Sequence, residues 1–277
     1  MSTWLITGCS TGLGRALATS VIAAGHDVVV TARDVGKVAD LAATAPERVL
    51  ALALDVTRPE QVASAVAQAE RRFGGVDVLV NNAGYGYRAA VEEGDDADVR
   101  RLFETHFFGT VAMIKAVLPG MRTRRSGAIV NISSIGAQIT PVGSGYYSAA
   151  KCAIEGLSGS LHGELAPLGI SVTIVEPGAF RTDFAGRSLT QAATPIDDYA
   201  ETAGKRRKEH DTLHGTQAGD PAKAATAIIT AVEQPQPPGF LLLGSDALAG
   251  YRQKAQARAD EVDRWEELSA STDYAEE

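Results

Sequence analysis

The sequence predicts an α/β protein, a doubly wound three-layer sandwich in which helices cover both faces of a parallel sheet. Three observations lead there. Short β-rich apolar runs alternate with Ala-, Glu- and Arg-rich stretches of helical length, the pattern of strands joined by crossover helices. Runs such as Val28-Val29-Val30 and Val78-Leu79-Val80 are apolar on both faces, as strands buried from both sides must be. The first run passes straight into a glycine-rich turn and then a helix-prone stretch, a unit that binds a pyrophosphate.

Taken in order, Thr3 to Thr7 is the first strand, and Gly8-Cys9-Ser10-Thr11-Gly12-Leu13-Gly14 the turn that follows it. Backbone N–H groups at the start of the next helix, Arg15 to Ala18 onward, point at an anion, and the glycines let it come close. Further strands are expected at Asp27 to Thr31, Val49 to Leu54, Val76 to Asn81, Ala128 to Ile132, Ser171 to Val175 and Phe240 to Leu243. From about residue 184 to 219 the sequence is mixed and polar, read as a strandless mobile flap or small helices over the active site. From about 246 to 270 Leu248, Tyr251, Ala255, Val262, Trp265 and Leu268 recur near helical spacing, which predicts a helix packed on the body or on a subunit partner. No repeat, low-complexity tract or linker interrupts residues 1–277, so one domain is expected.

Composition narrows the function. Of 277 residues 45% are hydrophobic, ample for a core. Twenty-six basic against thirty-four acidic residues give a net charge of −8, which argues against affinity for nucleic acid or anionic membranes. The clusters Arg122-Thr123-Arg124-Arg125 and Lys205-Arg206-Arg207-Lys208 are read as solvated helix ends. The two cysteines, Cys9 and Cys152, form no metal-ligand or disulfide pattern, so no metal is expected and a reducing cytoplasm fits. A strand beginning at residue 3 leaves no room for a signal peptide, and no apolar run reaches transmembrane length.

The chemistry is carried by Tyr147 and Lys151, four residues apart and thirteen or more after Ser134. A four-residue step puts both side chains on one helical face. A tyrosine has an unperturbed pKa near ~10, and a cation at roughly 4 Å would stabilise the phenolate by on the order of 4 kcal/mol, so the spacing predicts a tyrosine made acidic by its lysine. Such a group could serve as a general acid near neutral pH.

Five stretches in order, Thr7 to Gly14, Asn81-Asn82-Ala83-Gly84, Asn131-Ile132-Ser133-Ser134, Tyr147-Ser148-Ala149-Ala150-Lys151 and Pro177-Gly178, resemble the motif series of the single-domain short-chain dehydrogenase/reductase family. The resemblance implies a Rossmann-type fold of about seven parallel strands with a nicotinamide cofactor along their carboxyl edge. It implies that Gly8, Ser10, Gly12, Leu13 and Gly14 line the pyrophosphate turn, Asp55 and Val56 border the adenine, and Asn82, Ala83 and Gly84 run beneath the adenosine ribose. Pro177 and Gly178 would bind the cofactor, and Thr182 would hold the carboxamide of its nicotinamide. Tyr147 would protonate the forming alkoxide, Ser134 would hydrogen-bond the same oxygen, and Lys151 would also bind the nicotinamide ribose. The family's usual fourth catalytic residue, an asparagine, is His106 here, in Phe103-Glu104-Thr105-His106-Phe107-Phe108-Gly109-Thr110. An imidazole titrates near ~6.5, so the proton relay is expected to be altered and pH-sensitive, unless His106 only satisfies backbone groups in a bent helix. Relatives commonly pair through the helices carrying His106 and Tyr147, which implies a homodimer or homotetramer.

Cofactor choice turns on the end of the second strand, where an NAD site presents a carboxylate to the ribose. Here that position is Ala32, followed by Arg33, whose guanidinium can clamp a 2′-phosphate; NADP(H) is therefore expected over NAD, with Asp34 read as a helix N-cap. Phe180, Phe184, Val142 and Leu189 suggest a bulky, apolar ketone or aldehyde as substrate, in the manner of the hydroxysteroid and retinol dehydrogenase-like members. Two rivals are a non-catalytic nucleotide-sensing protein, which would not need Ser134, Tyr147 and Lys151 at these intervals, and a nicotinamide-dependent epimerase or dehydratase.

Overall fold

The computed structural model describes residues 1–186, 188–208 and 215–274. Its strands are β1 (Thr3–Ile6), β2 (Asp27–Ala32), β3 (Val49–Ala53), β4 (Val78–Asn81), β5 (Gly86–Arg88), β6 (Gly127–Ile132), β7 (Ile170–Pro177), β8 (Leu189–Gln191) and β9 (Phe240–Leu243). Seven form one parallel sheet in the order β3-β2-β1-β4-β6-β7-β9. The connecting helices are α1 (Gly12–Ala23), α2 (Ala39–Thr44), α3 (Pro59–Phe73), α4 (Asp96–Phe103), α5 (Gly109–Arg124), α6 (Gly136–Ile139), α7 (Gly145–Leu165), α8 (Pro221–Val232), α9 (Ser245–Arg264) and α10 (Glu266–Ala270). Strand order reverses between β1 and β4, and the crevice at the carboxyl ends of such a pair is where ligands bind in open α/β sheets.

Alternate side chains of each strand enter opposite layers. Trp4, Ile6, Val28, Val30, Val78 and Val80 pack against Leu17 and Val21 of α1 and Ala225 and Ile228 of α8. Leu5, Val29, Leu79 and Ile129 enter the other layer, against Val62 and Val66 of α3, Met113 and Val117 of α5, and Leu161 and Leu165 of α7. At the centre of the sheet a polar chain crosses this apolar packing: Asn81 Nδ2 donates to Asn131 Oδ1 at 2.8 Å, and Asn131 Nδ2 to Ser158 Oγ at 2.8 Å.

Two expectations are corrected. The region after residue 184 does hold a strand: β8 pairs in parallel with β5, and the Leu189 side chain fills the space that a Cβ on Gly86 would need. Three residues with one apolar side chain leave no periodic trace in sequence. In the basic cluster, Arg207 is no solvated helix end. It pairs with the buried carboxylate of Glu93, which also accepts from the N–H groups of Ala90 and Ile196 at 2.8 and 2.9 Å, and its guanidinium holds that carboxyl down at a pKa of about 2. The carboxyl-terminal helix packs on the body only at its start, where Ala247 is buried and Tyr251 meets Phe240 at 5.4 Å; Val262, Trp265 and Leu268 are exposed. Of the expected flap and domain, residues 187, 209–214 and 275–277 lie outside the described residues. No helix among the described residues is long and apolar enough to cross a membrane.

Candidate active site

The glycine-rich turn joins β1 to α1, and its shape is enforced from β4. Thr7 Oγ1 accepts from the N–H groups of Asn82 and Ala83 at 2.9 and 3.0 Å, while Asn82 Nδ2 donates to the carbonyls of Thr7 and Gly8 at 2.9 and 3.1 Å. Gly8 and Gly12 have φ of +74° and +62°, the left-handed region that glycine enters without strain. Gly14 is needed for space: a Cβ there would lie 2.2 Å from Asn82 Nδ2 and 2.5 Å from the Gly8 carbonyl oxygen. Asn82 and Gly14 thus build the turn together.

A cavity of about 1150 Å³ opens at the carboxyl ends of the strands. It is lined by Gly8, Ser10, Gly12, Leu13, Arg33, Asp55, Val56, Asn82, Ala83, Gly84, Pro177, Gly178 and Thr182, and by Ser134, Tyr147, Lys151 and His106. Gly14 does not line it. Nor does Val142, which is 61% exposed, so its expected place near the substrate is corrected; Phe180, Phe184 and Leu189 do face the cavity. β2 ends at Ala32, which puts Arg33 at the rim, and the Asp34 carboxylate accepts from Gly36 N at 3.0 Å as the N-cap of the following turn. Asp55 has a turn role too: its Oδ1 accepts from Thr57 N at 3.0 Å and from Thr57 Oγ1 at 2.7 Å.

Tyr147 and Lys151 stand on α7, and Ser134 on the segment between β6 and α6. Gly136 N donates to Ser134 Oγ at 3.0 Å, and a Cβ on Gly136 would sit 3.2 Å from that Oγ and 3.6 Å from Tyr147 Cε1, so hydroxyl and phenol ring share one corner. The expected acidic tyrosine is corrected. Burial pushes the Tyr147 phenol up to about 12, with a hydrogen bond from Ser134 opposing, and pushes Lys151 down to about 8. The ammonium lies 5.7 Å from the centre of the tyrosine ring and donates to the Ile132 carbonyl at 2.8 Å. Taking each group out of water penalises its charged form, and this outweighs the Ser134 bond at the phenol and the charge of Glu155 near the ammonium.

His106 lies in a π-helical turn, Glu104–Phe108, between α4 and α5. Its ring meets Tyr147 edge-on at 5.7 Å, and Nε2 lies 2.8 Å from the Tyr85 carbonyl oxygen and 3.0 Å from Tyr85 N. Burial, then the charge of Lys151, holds its pKa well below 6.5, so the expected titration near 6.5 is corrected: the imidazole is neutral. Its Nδ1 is buried without a partner among the described residues. Either neutral tautomer is accommodated at Tyr85, since Nε2 can donate to the carbonyl or accept from the N–H.

Thr7, Arg58, Arg88 and Arg206 were not singled out from sequence as site residues. Thr7 opens the glycine-rich motif, and only its place there marks it in sequence. The arginines meet the cavity from segments far apart in the chain.

The profile of the short chain dehydrogenase family matches residues 2–193. The chain is 38% identical over 270 residues to oxidoreductase BOA17 of Botryotinia fuckeliana, covering 97% of this chain and 98% of the relative. Its fold overlays that of a short-chain dehydrogenase from Streptomyces avermitilis with a TM-score of 0.92 at 43% identity, across 99% of this chain and all of the other. An alcohol dehydrogenase from Thermococcus sibiricus, solved with 5-hydroxy-NADP, matches at a TM-score of 0.72 and 25% identity over 88% of this chain and 95% of its own. A Burkholderia phymatum enzyme in complex with NAD shares the fold, with a TM-score of 0.81 at 22% identity over 100% and 97% of the two chains.

Proposed function

The chain belongs to the short-chain dehydrogenase family, and we propose that it is an NADP(H)-dependent reductase of bulky, apolar ketones or aldehydes. The observation that carries this reading is one cavity lined by both the glycine-rich turn and Ser134, Tyr147 and Lys151. A nicotinamide cofactor fits the residues present: left-handed glycines at the start of α1, N–H groups facing an anion, and Arg33 at the rim beyond β2. When bound, that cofactor supplies the hydride.

In this reading Tyr147 gives its proton to the carbonyl oxygen as negative charge develops there. A phenol with a raised pKa is fully protonated at neutral pH, the state a donor must start from, and an alkoxide is basic enough to take the proton. The Ser134 hydroxyl donates to the same oxygen and sets its direction. Lys151 keeps the ribose in place and holds positive charge beside the tyrosine while the phenolate exists. His106, neutral and packed edge-on against the Tyr147 ring, positions that ring. Phe180, Phe184 and Leu189 support an apolar substrate. A panel of ketones and aldehydes, followed by loss of NADPH absorbance, tests the whole: bulky apolar compounds should react, and no stoichiometric oxidation with any of them would end the proposal.

Two narrower results follow. Arg33→Ala should weaken NADPH binding by roughly 10- to 100-fold, the worth of a charge-assisted contact, and NADH binding hardly at all. Titration calorimetry with both cofactors measures it, and equal losses would defeat the NADP preference. His106→Asn should leave the rate–pH profile near pH ~6.5 without a new or missing limb, because burial holds the imidazole well below its ordinary titration range. A limb near pH 6.5 that vanishes with the substitution would refute this.

A further inference from the structure

Behind the wall that carries Ser134 lies a group of titratable side chains with no part in the reading above. Glu176, on β7, is entirely shielded from solvent, and Glu155, on α7, is within hydrogen-bonding reach of it. Gln138, on α6, bridges them: its Nε2 donates to Glu155 Oε2 at 2.7 Å and to Glu176 Oε1 at 2.8 Å. Ser133 Oγ donates to the remaining oxygen of Glu155, Oε1, at 2.6 Å. Glu176 Oε2 is buried and has no donor among the described residues. No cation among the described residues makes an ion pair with either carboxylate. The charged and titratable groups that face them are Lys151 and Cys152 of α7 and, acting on Cys152 from α9, Arg258.

Two ionised carboxylates cannot share such a place. Like charges at hydrogen-bonding distance repel strongly, and burial penalises each of them further. One proton removes both problems. It turns the orphan Glu176 Oε2 into an O–H that donates to Glu155, and leaves Glu155 with the single charge that Ser133 and Gln138 stabilise. The shift is in that direction, since burial and the bond to Glu155 push Glu176 up to about 8.

The pair grips the catalytic segment on both sides of Ser134. The backbone there is already hydrogen-bonded to β7 around Glu176, with Ser133 N donating to the Val175 carbonyl at 2.7 Å and Ile135 N to the Pro177 carbonyl at 3.1 Å. Side-chain bonds from Ser133 and Gln138 add a second attachment. We propose that Glu155 and Glu176 hold one proton between them and that this carboxyl–carboxylate pair, through Ser133 and Gln138, positions the Ser134 hydroxyl against Tyr147. The inference rests on Ser134 acting in the reaction only for its kinetic consequence; the shared proton stands apart from that.

Two measurements on the full chain test it. Infrared spectra of protein carrying ¹³C-labelled glutamate should show a carboxylic-acid carbonyl band at pH 7 that fades with a midpoint near 8 and is missing from Glu176→Gln. Absence of that band from the unsubstituted protein at pH 7, or its persistence in Glu176→Gln, overturns the shared proton. Glu155→Ala, which strips Ser133 of its acceptor and Gln138 of one of its two, should lower kcat by about tenfold with the NADPH dissociation constant unchanged, the mark of a misplaced catalytic group in an intact cofactor site. An unchanged kcat, or a parallel loss of NADPH binding, overturns the positioning role. Should Glu155→Ala not fold, Glu155→Met, which fills the same space without an oxygen acceptor, is measured in its place under the same criteria. An inactive unsubstituted enzyme that still shows the band would sink the reductase reading and leave the proton pair standing.

Discussion

Tyr147→Phe is expected to reduce kcat for carbonyl reduction by roughly 10²- to 10⁴-fold, the usual worth of a positioned general acid. The substitution removes one hydroxyl and keeps the ring, so the packing against His106 and Phe184, at 5.7 and 5.8 Å, survives and the variant should fold and bind NADPH normally. Single-turnover mixing of the NADPH complex with a ketone measures the effect directly. A variant retaining more than about a tenth of the rate would remove Tyr147 from the role of acid. The unsubstituted enzyme should also lose rate as pH rises through about 8, where Lys151 gives up its proton and the positive charge that stabilises the transient phenolate disappears. Below that pH the ammonium is fully formed, so the profile should be flat on the acid side of this limb.

Gly14→Ala should be the most damaging substitution among the glycines of the cofactor turn. The added methyl would have to occupy space 2.2 Å from Asn82 Nδ2 and 2.5 Å from a backbone carbonyl, and only the first of these can swing away. Relieving the second means moving the turn itself, at a cost of about 1–3 kcal/mol, enough to weaken NADPH binding on the order of ten- to a hundredfold. Gly159→Ala is the matched control. It stands in α7 with nothing within 4 Å of the new methyl, and should stabilise the protein by roughly 0.5–1 kcal/mol with cofactor affinity untouched. Thermal melts and cofactor titrations of the two variants check both statements, and equal behaviour would mean that the crowding at Gly14 is of no account.

Much of this fold could be read from the chain because its central strands advertise themselves. Val28 to Val30 and Val78 to Val80 are apolar at every position, and only burial on both faces makes that pattern sensible. The end of β2 was legible for the same reason, and with it the exposure of Arg33 and the capping role of Asp34. The site residues were legible as a motif series, and all of them but Gly14 line one cavity. What stayed hidden depends on contacts between distant segments. The β5–β8 ribbon joins two runs of three residues about a hundred positions apart, and the Glu93–Arg207 pair spans a similar distance. The state of Tyr147 is not legible in sequence, because spacing reports that two groups are neighbours and says nothing of how dry their surroundings are. Burial decides the sign there, and burial is a property of the assembled layers.

The amide chain from Asn81 through Asn131 to Ser158 bears on how the sheet finds its one correct alignment. Slide β4 by two residues along β6 and every valine and leucine still points to its proper layer, so hydrocarbon alone tolerates the error. The two asparagines do not tolerate it, because they face one another in the native pairing and nowhere else, and a slipped β4 would leave the buried Asn81 N–H group without its acceptor, at a cost of about 1–3 kcal/mol, while Asn131 keeps its bond to Ser158. They act as a proofreader for strand assembly, rejecting the near-miss that greasy side chains would accept.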